Sequence, residues 1–87
     1  MKRRVYDRDE GLCIFCGRPG APNAHVIARS HGGLGIDQNI VTACAECHRR
    51  MDNSSERKTY IAHAEEYLRG IYGDEAMEHR TYRKGIT

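Results

Sequence analysis

Residues 39–52 read NIVTACAECHRRMD, and the fold turns on how they are understood. Asn39-Ile40-Val41-Thr42-Ala43 is β-branched at its centre and predicts a strand. Cys44-x-x-Cys47 follows at once, then His48, with Asp52 four positions further on. The pair has a counterpart upstream in Cys13-x-x-Cys16. Two residues between thiolates let both sulfurs reach one tetrahedral ion, so the two pairs together specify a four-cysteine zinc site. The intervening residues 17–43 exceed the roughly 15–20 of a simple zinc ribbon, which leaves room for a strand, a loop and a second strand. Two disulfides, or a redox Cys-x-x-Cys, are the alternative. The doubled motif and a reducing compartment favour metal. The N-terminal MKRRVYDRDE has no apolar core of a secretory signal, so the cytoplasm is the expected location. A closed four-cysteine shell has no open position for substrate, so this zinc is expected to be structural and folding to depend on it.

Composition makes such a staple necessary. A chain of 87 residues is expected to form one domain, 1–87, burying only about 60% of the surface exposed when unfolded. Hydrophobic residues are 39%, charged residues 30%, with no Trp and one Phe, so the core is thin and needs help from a metal or disulfides. No apolar run reaches the roughly 18–20 residues of a membrane span. The formal net charge of +2 comes from 14 Lys and Arg against 12 Asp and Glu, which is not a strongly basic balance. The basic residues nevertheless cluster at Lys2-Arg3-Arg4, Arg49-Arg50, Arg57-Lys58 and Arg80 to Lys84. Such patches suit phosphate contact, solvated surface being the plainer alternative for any one of them.

Working outward, residues 2–10 predict a short helix with Val5 as its apolar contact and Gly11 as its stop. Residues 13–17 form a metal knuckle and 18–22 a turn. Ala24-His25-Val26-Ile27-Ala28 predicts a first strand, and the glycine-rich residues 29–38 a loop. The zinc knuckles thus lie at 13–16 and 44–47 around a ββα core of about 23–52. Downstream, Asn53 with Glu56 has the spacing of a capping box. Tyr60, Ile61, Ala64, Tyr67, Leu68 and Ile71 recur at helical spacing, so a packing helix is expected over about 54–72, stopped by Gly73. Residues 74–87 are expected to be a polar tail.

Five histidines are present, at positions 25, 31, 48, 63 and 79. His48 and Asp52 stand at i and i+4 on the helix expected after the second cysteine pair, so they share a face. A histidine with a carboxylate suits a divalent cation such as Mg²⁺, Mn²⁺ or Zn²⁺. His25 lies midway between the cysteine pairs, and Asn39 opens the second strand.

This order (Cys13–Cys16, then AHVIARSHGG at 24–33, then NIVTACAECHRRMD at 39–52) resembles the HNH nucleases, a branch of the ββα-metal or His-Me finger endonucleases. Small phage-type members with a four-cysteine zinc are the most similar. The resemblance implies an α+β, treble-clef-like zinc-stapled ββα-metal domain with flanking helices. It implies that His25 is the general base, that Asn39 braces the metal loop and orients that base, and that His48 is a metal ligand. Asp52 falls where many members place a further ligand near the metal, and Arg29 where an Arg is common. Ala24 departs from the pattern, because the position before the base usually holds a ligating Asp or His. Either His48 and Asp52 with water then suffice, or another residue such as neighbouring Asn23 or His31 swings in, or the metal binds weakly.

The expected function is a metal-dependent DNA endonuclease. An imidazole with an unperturbed pKa of about 6.5 can take a proton from water at neutral pH. A divalent ion, Mg²⁺ or Mn²⁺ or another transition metal, neutralises the charge developing at the phosphate and stabilises the leaving oxygen. Arg29, Arg49 and Arg50 are candidates for contact with the DNA backbone, Arg29 through a two-pronged phosphate contact. A chain of this kind also suggests phage packaging proteins as partners, by analogy. The second reading is a zinc-stapled module that binds nucleic acid without catalysis, and Ala24 is the feature that favours it.

Overall fold

A computed structural model describes residues 2–53 and 55–78. The elements run α1 (Lys2–Arg8), β1 (Ala21–His25), two short 3-10 turns (Arg29–His31 and Asp37–Asn39), β2 (Ile40–Ala43), α2 (Ala45–Asn53), α3 (Arg57–Tyr72) and α4 (Asp74–Met77). β1 and β2 pair antiparallel as a two-stranded sheet, so the fold is a small α+β one.

The first strand lies earlier than its sequence suggests, over Ala21–His25 instead of 24–28. Ala24 pairs with Val41 and His25 with Ile40, but the register slips between Ala21 and Ala24. Pro22 falls in that slip, where a residue with no N–H to give the ladder is tolerated. Beyond His25 the ladder ends because Asn39 takes over its bonds. The Asn39 carbonyl accepts from Val26 N–H (2.8 Å), and its side chain bonds both backbone groups of Ile27.

β2 is buried along its whole length, and α2 packs against the sheet through Cys47 and Met51. Ala24, Val26, Val41, Ala43, Cys47 and Met51 share one buried cluster, joined by Ala64 and Leu68 of α3. Val5 is α1's fully buried residue, as its sequence predicts. The α3 stripe is turned relative to expectation at its end. Ile71 is 45% exposed, while Tyr72 packs against the core.

Two further expectations are corrected. Asn53 is the last residue of α2, and the residue before α3 is Glu56, with no side-chain cap. The end of α2 is instead held from the following helix, where Arg57 Nη1 donates to the Met51 carbonyl at 3.0 Å. Residues 74–77 are helical rather than a polar tail, because Gly73 (φ 89°) reverses the chain and lets Met77 enter the core at 6% exposure. Residues 79–87 lie outside the described residues. Among the described residues no helix is long and apolar enough to cross a membrane.

Candidate functional site

The cysteines come together because one pair sits in a tight turn and the other at a strand-to-helix junction. Gly17 N–H bonds the Cys13 carbonyl (2.9 Å), closing the first knuckle, and Ile14 N–H reaches the Thr42 carbonyl (3.0 Å), tying it to β2. Cys44 directly follows β2, and its carbonyl accepts from the His48 N–H in the first turn of α2 at 2.9 Å. All four Sγ atoms lie within 4.8 Å of one another, and none is in a disulfide. Cys16 Sγ and Cys44 Sγ are 3.6 Å apart. A tetrahedron with metal–sulfur bonds of about 2.3 Å has edges of roughly 3.8 Å, so the donor set fits one ion. The Cys47 N–H, 3.5 Å from Cys44 Sγ, draws the Cys44 thiol down to about 7, the thiolate being the form that ligates metal. Burial pushes the Cys47 thiol up to about 12.

His25 ends β1, half-buried, with its Nε2 shielded from solvent. The glycine-rich segment lies over the ring: a Cβ on Gly35 would stand 3.9 Å from that Nε2. Asn39 is fully buried. Its Oδ1 accepts from Ile27 N–H (2.8 Å), and its Nδ2 donates to the carbonyls of Ile27 (3.1 Å) and Leu34 (2.9 Å). The strand exit after His25 and the glycine-rich loop are therefore sewn to one side chain. Gly33 is required here for space, since a Cβ on it would collide with the Ile27 carbonyl and press on Asn39 Nδ2.

His48 and Asp52 do share a face of α2, with Nε2 and Oδ2 3.5 Å apart and both side chains reached by solvent. His48 also lines a shallow cleft of about 440 Å³ with Pro19, Asn23, Ala43 and Ala45. Ala24 points elsewhere, fully buried in the core cluster. Among the described residues, the four cysteines are the only group of three or more His, Cys, Asp or Glu donors close enough to share an ion. His48 and Asp52 thus form a two-donor element.

The sequence of the family described as HNH endonuclease matches residues 13–60, more than half of the chain. The chain belongs to the HNH endonuclease family. No curated protein and no solved structure matches it significantly. The HNH segment contains all four cysteines, His25, Asn39, His48 and Asp52, and leaves out α1, α4 and most of α3.

Around this HNH segment the basic candidates differ in setting. Arg49 is exposed. Arg50 is paired with Glu46 (2.9 Å) and lies 4.0 Å from Glu56, so much of its charge is met within the protein. The Arg29 side chain lies outside the described residues. His31 is exposed, and His63 Nε2 is 3.1 Å from the Ile14 carbonyl, beneath the first knuckle. Sequence reasoning missed a polar cluster made by Arg8, Asp9, Tyr67 and Tyr72. Only the helical spacing of Tyr67 hinted at it, and that spacing reads as apolar packing.

Proposed function

We propose that this HNH chain is a metal-dependent DNA endonuclease that hydrolyses phosphodiester bonds in the reducing cytoplasm. The observation that carries the reading is the buried Asn39, which braces the strand exit after His25 inside the segment that matches the family. In this reading His25 is the general base and takes a proton from the attacking water. Asn39 orients the base by fixing Ile27, two residues beyond it. His48 and Asp52 are the residues to hold a divalent ion such as Mg²⁺ or Mn²⁺. When bound, that ion supplies charge neutralisation at the scissile phosphate and at the leaving oxygen. Arg29, Arg49 and Arg50 contact the DNA backbone, which makes binding weakly sequence-specific and strongly salt-dependent. The four cysteines hold a structural Zn²⁺, consistent with the 3.6 Å sulfur spacing, and the whole chain, 1–87, acts as one domain.

The buried Ala24 favours a second reading, a zinc-stapled nucleic-acid-binding module without catalysis, because it removes the ligand that most family members carry. Incubating zinc-loaded protein with supercoiled plasmid and Mg²⁺ or Mn²⁺ separates the two. Ion-dependent relaxation supports the nuclease; retention of the plasmid on gels without any cleavage supports the module.

A further inference from the structure

Arg8 is 12% exposed and Asp9 has no exposed side chain, so a charge pair is buried outside the HNH segment. Arg8 Nε and Nη2 donate to the two Asp9 oxygens at 2.7 and 2.9 Å. Asp9 also accepts from Tyr67 Oη (2.5 Å) and from the Thr42 backbone N–H (2.9 Å). The remaining Arg8 donors leave the pair. Nη1 reaches Tyr72 Oη at 3.1 Å and the Asp37 carbonyl at 2.8 Å, and Nη2 reaches the Ile40 carbonyl at 2.7 Å. All five guanidinium hydrogens are thereby used.

The two carbonyls decide what this cluster is for. Asp37 and Ile40 bracket Asn39, two residues before it and one after. A buried ion pair is a poor way to gain stability, since well-packed apolar groups often do as well. No apolar group, however, can hold two backbone carbonyls at fixed positions on either side of one asparagine. Lysine cannot either, because it lacks the planar five-donor fork. We propose that Arg8, locked by Asp9, Tyr67 and Tyr72, is a positioning residue for phosphodiester hydrolysis, acting through Asn39 on His25. Helices α1 and α3 then do more than cover the HNH segment: they set the angle of its brace. The proposal rests on the nuclease reading above.

Arg8→Lys, purified with wild-type zinc content and helicity, tests it by two readouts. One is plasmid nicking, with kcat and KM separated; the other is amide hydrogen exchange at Ile27, whose N–H is held by Asn39. The proposal expects kcat to fall about tenfold to a hundredfold at unchanged KM, as misplacement of a reacting group does. It also expects Ile27 to exchange faster while the Ala64 and Leu68 amides stay protected. Unchanged kcat in the folded variant overturns the proposal, as does a loss of protection spread equally over Ile27 and the α3 core. Should Arg8→Lys not fold, Tyr72→Phe removes one of the five bonds without stranding a charge. It must give the same pattern in smaller measure, and wild-type behaviour in both readouts overturns the proposal. A wild-type protein that never cuts, beside an Ile27 amide that still depends on Arg8, sinks the nuclease reading and with it the catalytic role, but leaves the brace.

Discussion

Asn39 holds both backbone groups of Ile27 with its one side chain, accepting from the N–H at 2.8 Å and donating to the carbonyl at 3.1 Å. That amide-to-amide pairing stands where the β1–β2 ladder stops, two residues past His25. Asn39→Ala leaves Ile27 and the Leu34 carbonyl without these partners in a buried setting. We expect a loss of about 2–4 kcal/mol, read as a fall in the urea midpoint with zinc held in excess. Asn39→Asp should be no milder, because a carboxylate cannot donate to either carbonyl.

Gly33 and Gly35, two of the three glycines of the loop, should respond differently. Gly33→Ala drives a methyl into the Ile27 carbonyl, so we expect about 2 kcal/mol or more of destabilisation. Gly35→Ala meets only His25 Nε2 at 3.9 Å, an ordinary contact, and should fold with a change of about 0.5 kcal/mol or less. Thermal melts of the two variants beside wild type check the contrast.

Metal removal should unfold the chain. The four sulfurs gather a turn, the end of β2 and the start of α2 around one point, and the described core is small. Elemental analysis is expected to give about one zinc per chain. A strong chelator, or Cys47→Ser, should abolish most helical circular dichroism, and re-added Zn²⁺ should restore it only in the chelated wild type.

Alkaline pH should expose the Tyr67–Asp9 bond. Burial, then the hydrogen bond to Asp9, pushes the Tyr67 hydroxyl up to about 12 from its ordinary 10.0. A folded-state pKa raised in this way stabilises the protein fully below the unfolded value. The contribution is lost as pH rises through about 12. Wild type should therefore be more stable than Tyr67→Phe at pH 9, with the difference shrinking between about pH 10 and 12 in urea titrations. Asp9 carries the opposite sign. Its burial works to raise its pKa, but bonds from Arg8, Tyr67 and the Thr42 N–H outweigh that and hold the carboxyl below the ordinary 3.8. Its contribution is present above the ordinary value and lost as pH falls through the lowered one. Acid would also protonate the cysteine thiolates that would ligate zinc, so the alkaline limb is the cleaner measurement.

What the sequence made legible was local in spacing. Two Cys-x-x-Cys pairs determine that four sulfurs can meet, and His48 with Asp52 at i and i+4 determines a shared helical face; both follow from fixed backbone geometry. Less legible were features settled by partners far along the chain. β1 begins at Ala21 because a register slip absorbs Pro22, and ends at His25 because Asn39 displaces the ladder. Met77 sits in a polar stretch, yet Gly73 folds it back onto the core. Arg8 and Asp9 look like ordinary charges at a helix end, and only the arrival of Tyr67 and Tyr72 buries them.

The most direct test of the central claim is the nicking rate of supercoiled plasmid by zinc-loaded wild type and by His25→Ala, purified identically and matched in fold, with Mg²⁺ or Mn²⁺ present. The account predicts ion-dependent nicking by wild type and a loss of about a hundredfold or more in the variant, the scale of a removed general base. Equal rates in the two proteins would contradict it.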